Sequence, residues 1–420
     1  MTHHPLCAVL AACAAMAALP AFAVTEAEVA DTYADIAEAG YADSLTTARA
    51  LDVAIDALLA APSQDALDAA RAAWLAARVP YQQTEVFRFG NPIVDDWEGR
   101  VNAWPLDEGL IDYVDAAYGG AEDNDFATLN VIAHPNFTLS GADVDAGAIT
   151  PALIAETLHE ADGIESNVAS GYHAIEFLLW GQDLHGTGAG AGERPWTDYA
   201  AEGCTNGNCD RRGQYLKAAS TLLISDLEEM AANWAEGGAA RAAVTDDPAA
   251  GLRAMLTGMG SLSYGEQAGE RMKLGLMLND PEEEHDCFSD NTHNSHYYDG
   301  LGIRNVYLGR YARVDGTEVS GPSLSELVAA RAPEVDTELK LRLDDTMGAM
   351  TALKGAAEGG MAYDQMLAAD NLEGERLITA AIDGLVAQTE TIERAVTALK
   401  LDAIAFEGSD SLDNPNAVFQ

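Results

Sequence analysis

The chain has 420 residues, of which 68 are acidic and 23 are basic, so its net charge is −45. The Lys and Arg clusters that bind phosphate backbones are scarce in such a chain, which argues against nucleic acid as a partner. So negative a surface attracts cations and suits a metal-handling protein, although the same charge also serves simple solubility.

The first 23 residues have the character of an export signal. Pro5 to Leu19 is almost wholly apolar and uncharged, and Ala21-Phe22-Ala23 has the small-x-small form of a cleavage site. We predict that the mature protein begins near Val24. Alternatively, Leu10-Ala11-Ala12-Cys13 is a lipoprotein box and Cys13 carries lipid. No later stretch of the sequence is long and apolar enough to span a bilayer.

Ala- and Leu-rich helical periodicity dominates the remaining chain, and no group of Val-, Ile- and Thr-rich runs with hairpin turns accompanies it. We therefore predict an all-α fold. Thr25-x-x-Glu28 and Ser323-x-x-Glu326 have the form of capping boxes at helix starts, and Pro80 is expected to kink its helix. The long predicted helices are 26–38, 44–59, 64–87, 161–180, 212–235, 251–278, 337–353 and 373–399.

The length of the chain predicts two domains. The break at 237–251 is the best boundary, which gives a helical bundle over 24–238 and another over 239–420. Tyr81-x-x-x-Glu85 and Gly265-x-x-x-Gly269-Glu270 occupy similar places in the two halves, which hints at an internal duplication. Irregular segments are expected at 119–145, 183–208 and 288–302.

Three cysteines remain after the predicted signal. Cys204 and Cys209 close a short, turn-prone loop, and an exported protein meets an oxidising compartment, so we predict a disulfide between them. Cys287 is then the odd thiol, and a buried, inert side chain is expected there.

The run Gly171-Tyr172-His173-Ala174-Ile175-Glu176 places an imidazole and a carboxylate one helical turn apart. Residues three apart are neighbours on a helix surface, so His173 and Glu176 can bind one metal ion without distorting the backbone. On a helical wheel the pair lies off the aliphatic stripe, and we expect it to face a cleft, a second domain or solvent.

Two other clusters combine acids with aromatic or imidazole groups. In 84–109, Glu85, Asp107 or Glu108 could be additional ligands, or the acids could line the rim of a structured loop. Residues 282–296 hold three of the nine histidines. Either they form a metal site, or residues 290–292 cap a helix and the histidines are solvated. Arg271 is expected to neutralise buried carboxylates.

The sequence resembles the imelysin-like family in three blocks that occur in the same order. The first block is residues 87–99 with 102–109, the second is the Gly-x-His-x-x-Glu motif at 171–176, and the third is residues 284–293 with 302–307. The resemblance implies a periplasmic or outer-membrane-associated bacterial protein with two helical bundles and a role in iron uptake, although the founding member is described as a metallopeptidase. It makes His173 and Glu176 the metal-binding candidates, with Glu85, Asp107 and Asp290 as further candidates in matching blocks.

A zinc peptidase normally needs three protein ligands and a general base. Here Phe177 follows Glu176, so the second histidine of His-Glu-x-x-His or His-x-x-Glu-His motifs is missing. An oxygen-rich set with one imidazole suits iron as well as zinc. The leading hypothesis is a metal-binding protein, with iron favoured over zinc, that works with other envelope components of iron uptake. The alternatives are a metallopeptidase and a module that binds a non-metal ligand.

Overall fold

Helices make up most of the computed structural model, which describes Met1 and residues 24–118 and 124–419. The all-α prediction is confirmed, with two short hairpins as the strands of the described chain. The predicted signal cleavage and lipidation fall on residues 2–23, which lie outside the described residues. Within the described ranges, no helix combines the length and apolarity that crossing a membrane requires.

The N-terminal half contains three long helices and several shorter ones. Residues 26–60 form one helix where the sequence predicted two, and Pro80 lies in the last turn of its helix. The helices are α1 (Glu26–Ala60), α2 (Gln64–Gln82), α3 (Pro92–Asn102), α4 (Pro151–Leu153), α5 (Gly171–Trp180) and α6 (Cys209–Trp234), and the hairpin strands are β1 (Asn136–Leu139) and β2 (Ala142–Asp145). The predicted disulfide joins Cys204 and Cys209.

The predicted start of a helix at residue 161 was wrong. Residues 161–163 form a single 3₁₀ turn, and Glu160 and Asp162 adopt left-handed backbone conformations with φ of 51° and 61°. Such conformations interrupt a right-handed helix. The motif helix α5 therefore begins only at Gly171.

The C-terminal half is also helical. Its helices are α7 (Ala239–Thr245), α8 (Pro248–Ser261), α9 (Leu274–Leu278), α10 (Thr292–Leu308), α11 (Leu324–Arg331), α12 (Pro333–Glu358), α13 (Tyr363–Leu367), α14 (Leu372–Leu399) and α15 (Asp410–Asp413), and its strands are β3 (Arg310–Ala312) and β4 (Glu318–Ser320). Leu262–Lys273 connects α8 to α9 through wider π-helical turns.

The prediction of an irregular segment over 288–302 was wrong from residue 292 onward, where α10 begins. The first eleven residues of this helix are mainly polar or glycine, so the Ala- and Leu-rich periodicity that marked the other helices is absent. Residues such as His296 and Asp299 are nevertheless fully buried in the fold. Tertiary contacts supply the stability that local preference does not.

One large apolar cluster takes residues from both halves of the chain, including Trp74, Trp234, Tyr307 and Leu399. A smaller cluster, which includes Tyr363, lies wholly in the C-terminal half. Helix α2 packs against both α5 and α10, and so holds the motif helix close to the segment that precedes α10. The division at residue 238 and the internal duplication stay predictions.

Candidate metal centre

Gly171 sets the entry of the chain into the motif helix. Its φ is +81°, and a Cβ added at this position would lie 2.4 Å from the carbonyl oxygen of Val101. Only glycine combines this backbone conformation with so close an approach. Every residue of α5 is buried, so His173 and Glu176 do not face solvent, which was one of the surroundings expected for them.

His173 and Glu176 contact each other within α5. His173 Nδ1 lies 3.1 Å from Glu176 Oε2. The other carboxylate oxygen of Glu176 accepts hydrogen bonds from the backbone nitrogen and the hydroxyl of Ser289, at 3.0 and 2.6 Å. His173 Nε2 is buried and has no hydrogen-bond partner among the described residues. The motif pair is thus fixed from one side and presents an uncommitted imidazole nitrogen.

The segment before α10 adds His285 and Asp286 to this pair. Asp286 Oδ1 lies 3.9 Å from His173 Nδ1 and 3.7 Å from His285 Nδ1, and the two imidazole rings are 4.8 Å apart between centroids. One ligand atom from each of His173, His285 and Asp286 lies within 4.8 Å of the other two. The fold therefore brings two imidazoles and two carboxylates together from distant parts of the sequence.

Arg78 of α2 supports the carboxylate of this group. Its Nη2 donates to Asp286 Oδ1 at 2.7 Å, and its Nη1 donates to Asn102 Oδ1 at 2.6 Å. Asn291 donates to the second oxygen of Asp286 at 2.7 Å. Because Oδ1 also faces both imidazoles, Arg78 orients the carboxylate towards them.

Burial controls the protonation of the site. It lowers the pKa of His173 well below its usual value, and the positive charge of Arg78 adds to this effect. The pKa of His285 is lowered for the same first reason, helped by Arg271. Burial raises the pKa of Glu176, with the charge of Asp286 as the next cause. Both imidazoles are therefore neutral at pH 7, which is the form that binds metals.

The other three predicted ligands lie in different surroundings. Glu85 Oε2 accepts from Arg271 Nη2 at 2.9 Å, so Arg271 neutralises a buried carboxylate as predicted. Asp107 accepts from the hydroxyls of Ser166 and Tyr118 at 2.8 and 2.9 Å. The carboxylate of Asp290 lies beside Asp183 and Asp364.

The structure thus brings together only His173 and Glu176 of the five candidates. Ligand roles for Glu85, Asp107 and Asp290 stay predictions.

Comparison with known proteins identifies the family. The imelysin family model matches residues 37–392. The chain belongs to the imelysin family. It is 37% identical over 71 residues to iron-regulated protein A of Synechococcus elongatus, a segment that covers 17% of this chain and 20% of that relative.

Two solved structures share the fold of this imelysin-family protein. One is a protein assigned as an iron-regulated protein A precursor from Parabacteroides distasonis, with a TM-score of 0.64, 20% identity, and coverage of 89% of this chain and 95% of that one. The other is an imelysin-like protein from Psychrobacter arcticum, with a TM-score of 0.55, 17% identity, and coverage of 92% and 100%. At these identities the likeness shows the fold alone.

The sequence did not single out three residues of this candidate site. His285 and Asp286 lie in the cluster at 282–296, where three closely spaced histidines were the available signal. Arg78 lies in an Ala-rich amphipathic helix and gave no signal, because a basic residue there is usually on the solvated face. Its actual exposure is 1%.

Proposed function

We propose that this protein binds iron in the cell envelope and serves iron uptake, with His173, His285 and Asp286 as its protein ligands. Family membership supports the proposal, as does the name of the relative, iron-regulated protein A. The export-signal character of the first 23 residues supports the location.

The buried group of two imidazoles and one carboxylate carries the proposal. Ligand atoms of His173, His285 and Asp286 lie within 4.8 Å of one another. Two histidines and one carboxylate, with further coordination positions left for other ligands, form a set that suits ferrous iron. Zinc accepts the same donors, so iron is preferred here on the evidence of the relatives and not of the donors alone.

The residues present fit a cation. His173 Nε2 is a buried potential ligand atom without a hydrogen-bond partner among the described residues. Burial lowers the pKa of both His173 and His285, so both imidazoles are neutral. A bound cation would favour the ionised form of Glu176, whose pKa burial raises. The two carboxylates with one Arg78 would then leave one negative charge for a divalent ion to offset. Glu176, held by Ser289 and His173, positions the imidazole in the way that carboxylates orient metal-bound histidines.

Burial favours metal binding over peptide cleavage. His173, Glu176, His285 and Asp286 are each at most 1% exposed, so a polypeptide cannot reach them without opening of the fold. Glu176 also interacts with His173 and Ser289 and is not free to activate water. The metallopeptidase and the non-metal binding module therefore become outcomes that the experiment distinguishes.

The test compares the mature protein with the double variant His173→Ala/Glu176→Ala. Both are incubated with ferrous iron without oxygen, washed in high salt to remove ions held loosely by the acidic surface, and analysed for metal. We expect the double variant to lose the bound iron while its helical circular dichroism persists. His134→Ala, which removes an exposed histidine, is the matched control and should bind normally.

Unchanged iron stoichiometry in the double variant would refute the proposal. Chelator-sensitive cleavage of an unfolded polypeptide by the wild-type protein would replace it with the peptidase. Absence of metal from the wild-type protein would favour the non-metal binding module.

A further inference from the structure

A second group of acids, which the iron proposal does not use, lies where the segment after α5, the segment before α10 and helix α13 meet. Asp183, Asp290 and Asp364 each place a carboxylate oxygen within 4.8 Å of the other two. Glu284 lines the same small pocket as Asp183. We propose that these four residues form a separate, all-carboxylate site for a hard divalent cation, of which Ca²⁺ is the best candidate.

Unpartnered buried oxygens distinguish this group from an ordinary acidic surface. Asp364 is fully buried, and neither of its carboxylate oxygens has a hydrogen-bond partner among the described residues. Asp290 Oδ1 and Glu284 Oε2 are likewise buried without a partner. A buried polar atom without a partner costs free energy, and a charged one costs more. A cation bound among these carboxylates would give unpartnered oxygens a partner.

Basic side chains do not balance the group. Within 24–118 and 124–419, no Lys or Arg forms an ion pair with any of the four acids. The basic partner is His185, whose Nδ1 lies 2.8 Å from Asp183 Oδ1. One partly exposed imidazole leaves the remaining carboxylates uncompensated. Accordingly burial, with the charges of Asp290 and Asp183 in addition, raises the pKa of Asp364 to about 7.

The choice of cation follows from the donor atoms. Carboxylate oxygens are hard ligands, and Ca²⁺ takes six to eight of them in flexible geometry, with carboxylates binding through one or both oxygens. Mg²⁺ demands a stricter octahedron and keeps several waters. The site thus differs in kind from the nitrogen-containing group at His173.

One residue of the site, Asp183, also lines an acidic cavity. Asp183 lines a cavity of about 460 Å³ whose wall also contains Asp107, Glu108 and Glu282. Clefts lined by charge of one sign concentrate counter-ions. The side chain of Asp183 is 11% exposed, whereas Asp364 is fully buried, so the site has contact with solvent through Asp183.

The experiment titrates Ca²⁺ into chelator-treated mature protein and follows binding by calorimetry and thermal unfolding. We expect a single Ca²⁺ to bind and to raise the Tm of the wild-type protein. Asp364→Asn should weaken the affinity by about tenfold or more, because ligand charge sets Ca²⁺ affinity. In chelator alone, the same variant should be at least as stable as wild type, because it removes one of the repelling charges.

Three further proteins keep the test decisive. Asp370→Asn removes an exposed acid just beyond α13 and should respond to Ca²⁺ like wild type. Asp183→Asn, at the solvent-facing side, is used if Asp364→Asn does not fold, and should lose affinity in the same way. His173→Ala, which leaves the hydrogen bonds of Glu176 to Ser289 in place, should lose iron but keep full Ca²⁺ binding. Failure of the iron proposal and failure of this one are therefore separate results.

The absence of a calorimetric signal and of a Tm shift with wild-type protein at millimolar Ca²⁺ would overturn the proposal. So would tighter binding of Mg²⁺ than of Ca²⁺, or an Asp364→Asn variant that binds Ca²⁺ as wild type does. A wild-type Tm that responds to acid but not to Ca²⁺ would show that protons, and not a cation, neutralise the group.

Discussion

Arg78 and Asp286 form a fully buried ion pair, 2.7 Å from Nη2 to Oδ1, that joins helix α2 to the segment preceding α10. The two residues are 208 positions apart in the sequence. The pair connects the halves of the chain, and it holds the carboxylate that faces the two imidazoles of the candidate metal centre.

Replacement of Arg78 by Met should therefore destabilise the protein strongly. The substitution leaves Asp286 as an uncompensated buried charge, and loss of one partner of such a pair costs about 3–5 kcal/mol. Urea unfolding of metal-free protein measures the effect. The control is Arg49→Met, whose ion pair with Glu228 is more than half exposed on both sides and should contribute at most about 1 kcal/mol. Similar losses in the two variants would contradict this account of the pair.

His285 should matter for iron as much as His173. We expect His285→Ala to weaken iron affinity by more than about tenfold, since even residues that only support metal ligands affect affinity by this much. Glu85→Gln should leave the iron affinity within about twofold, because Glu85 pairs with Arg271. A substitution that shares no contact with the metal ligands couples only weakly to metal binding. Calorimetric titration without oxygen checks both variants. A loss in Glu85→Gln that equals the loss in His285→Ala would return Glu85 to the ligand set.

Gly171→Ala should impair both folding and metal binding. The new Cβ would meet the Val101 carbonyl, and the positive φ disfavours any other residue, so the start of α5 must shift with His173. We expect a loss of stability above about 1 kcal/mol and weaker iron binding in the same variant. Gly348→Ala is the control, because that glycine lies in α12 with nothing near its Cβ position. There alanine should stabilise by about 0.5–1 kcal/mol, as thermal unfolding would show.

Asp226 should make stability depend on pH. Burial raises its pKa to about 6, against the opposing effect of Arg100, so the folded state favours the protonated carboxyl. The contribution of the protonated carboxyl to the free energy of unfolding is therefore complete below about pH 4, and it is lost as the pH rises through 6. Asp226→Asn imitates the protonated form, so we expect it to match wild type at pH 4 and to exceed its stability by roughly 1–3 kcal/mol at pH 7.

Unfolding of both proteins in urea across this pH range is the measurement. Exposed Asp345→Asn should follow wild type at every pH. A stability difference for Asp226→Asn that does not change with pH would show that the carboxyl is ionised throughout.

The sequence alone determined the helical class, the two capping boxes, the short disulfide and the pairing of His173 with Glu176. Each of these depends on residues close together in the chain, where spacing fixes geometry. Local pattern failed at 292–302, because α10 is stabilised by its buried contacts and not by its composition. It also failed at 161–170, where left-handed residues break the helix.

Only the tertiary structure decided what surrounds the motif. Arg78, Glu176 and Asp286 meet because α2 packs between α5 and α10, and no spacing in the sequence encodes that meeting. The same folding pairs Glu85 with Arg271 and places the carboxylate of Asp290 beside those of Asp183 and Asp364. Burial is then the main cause of the pKa shifts of His173, His285 and Glu176. The cost of desolvation behind these shifts depends on surroundings that distant residues provide.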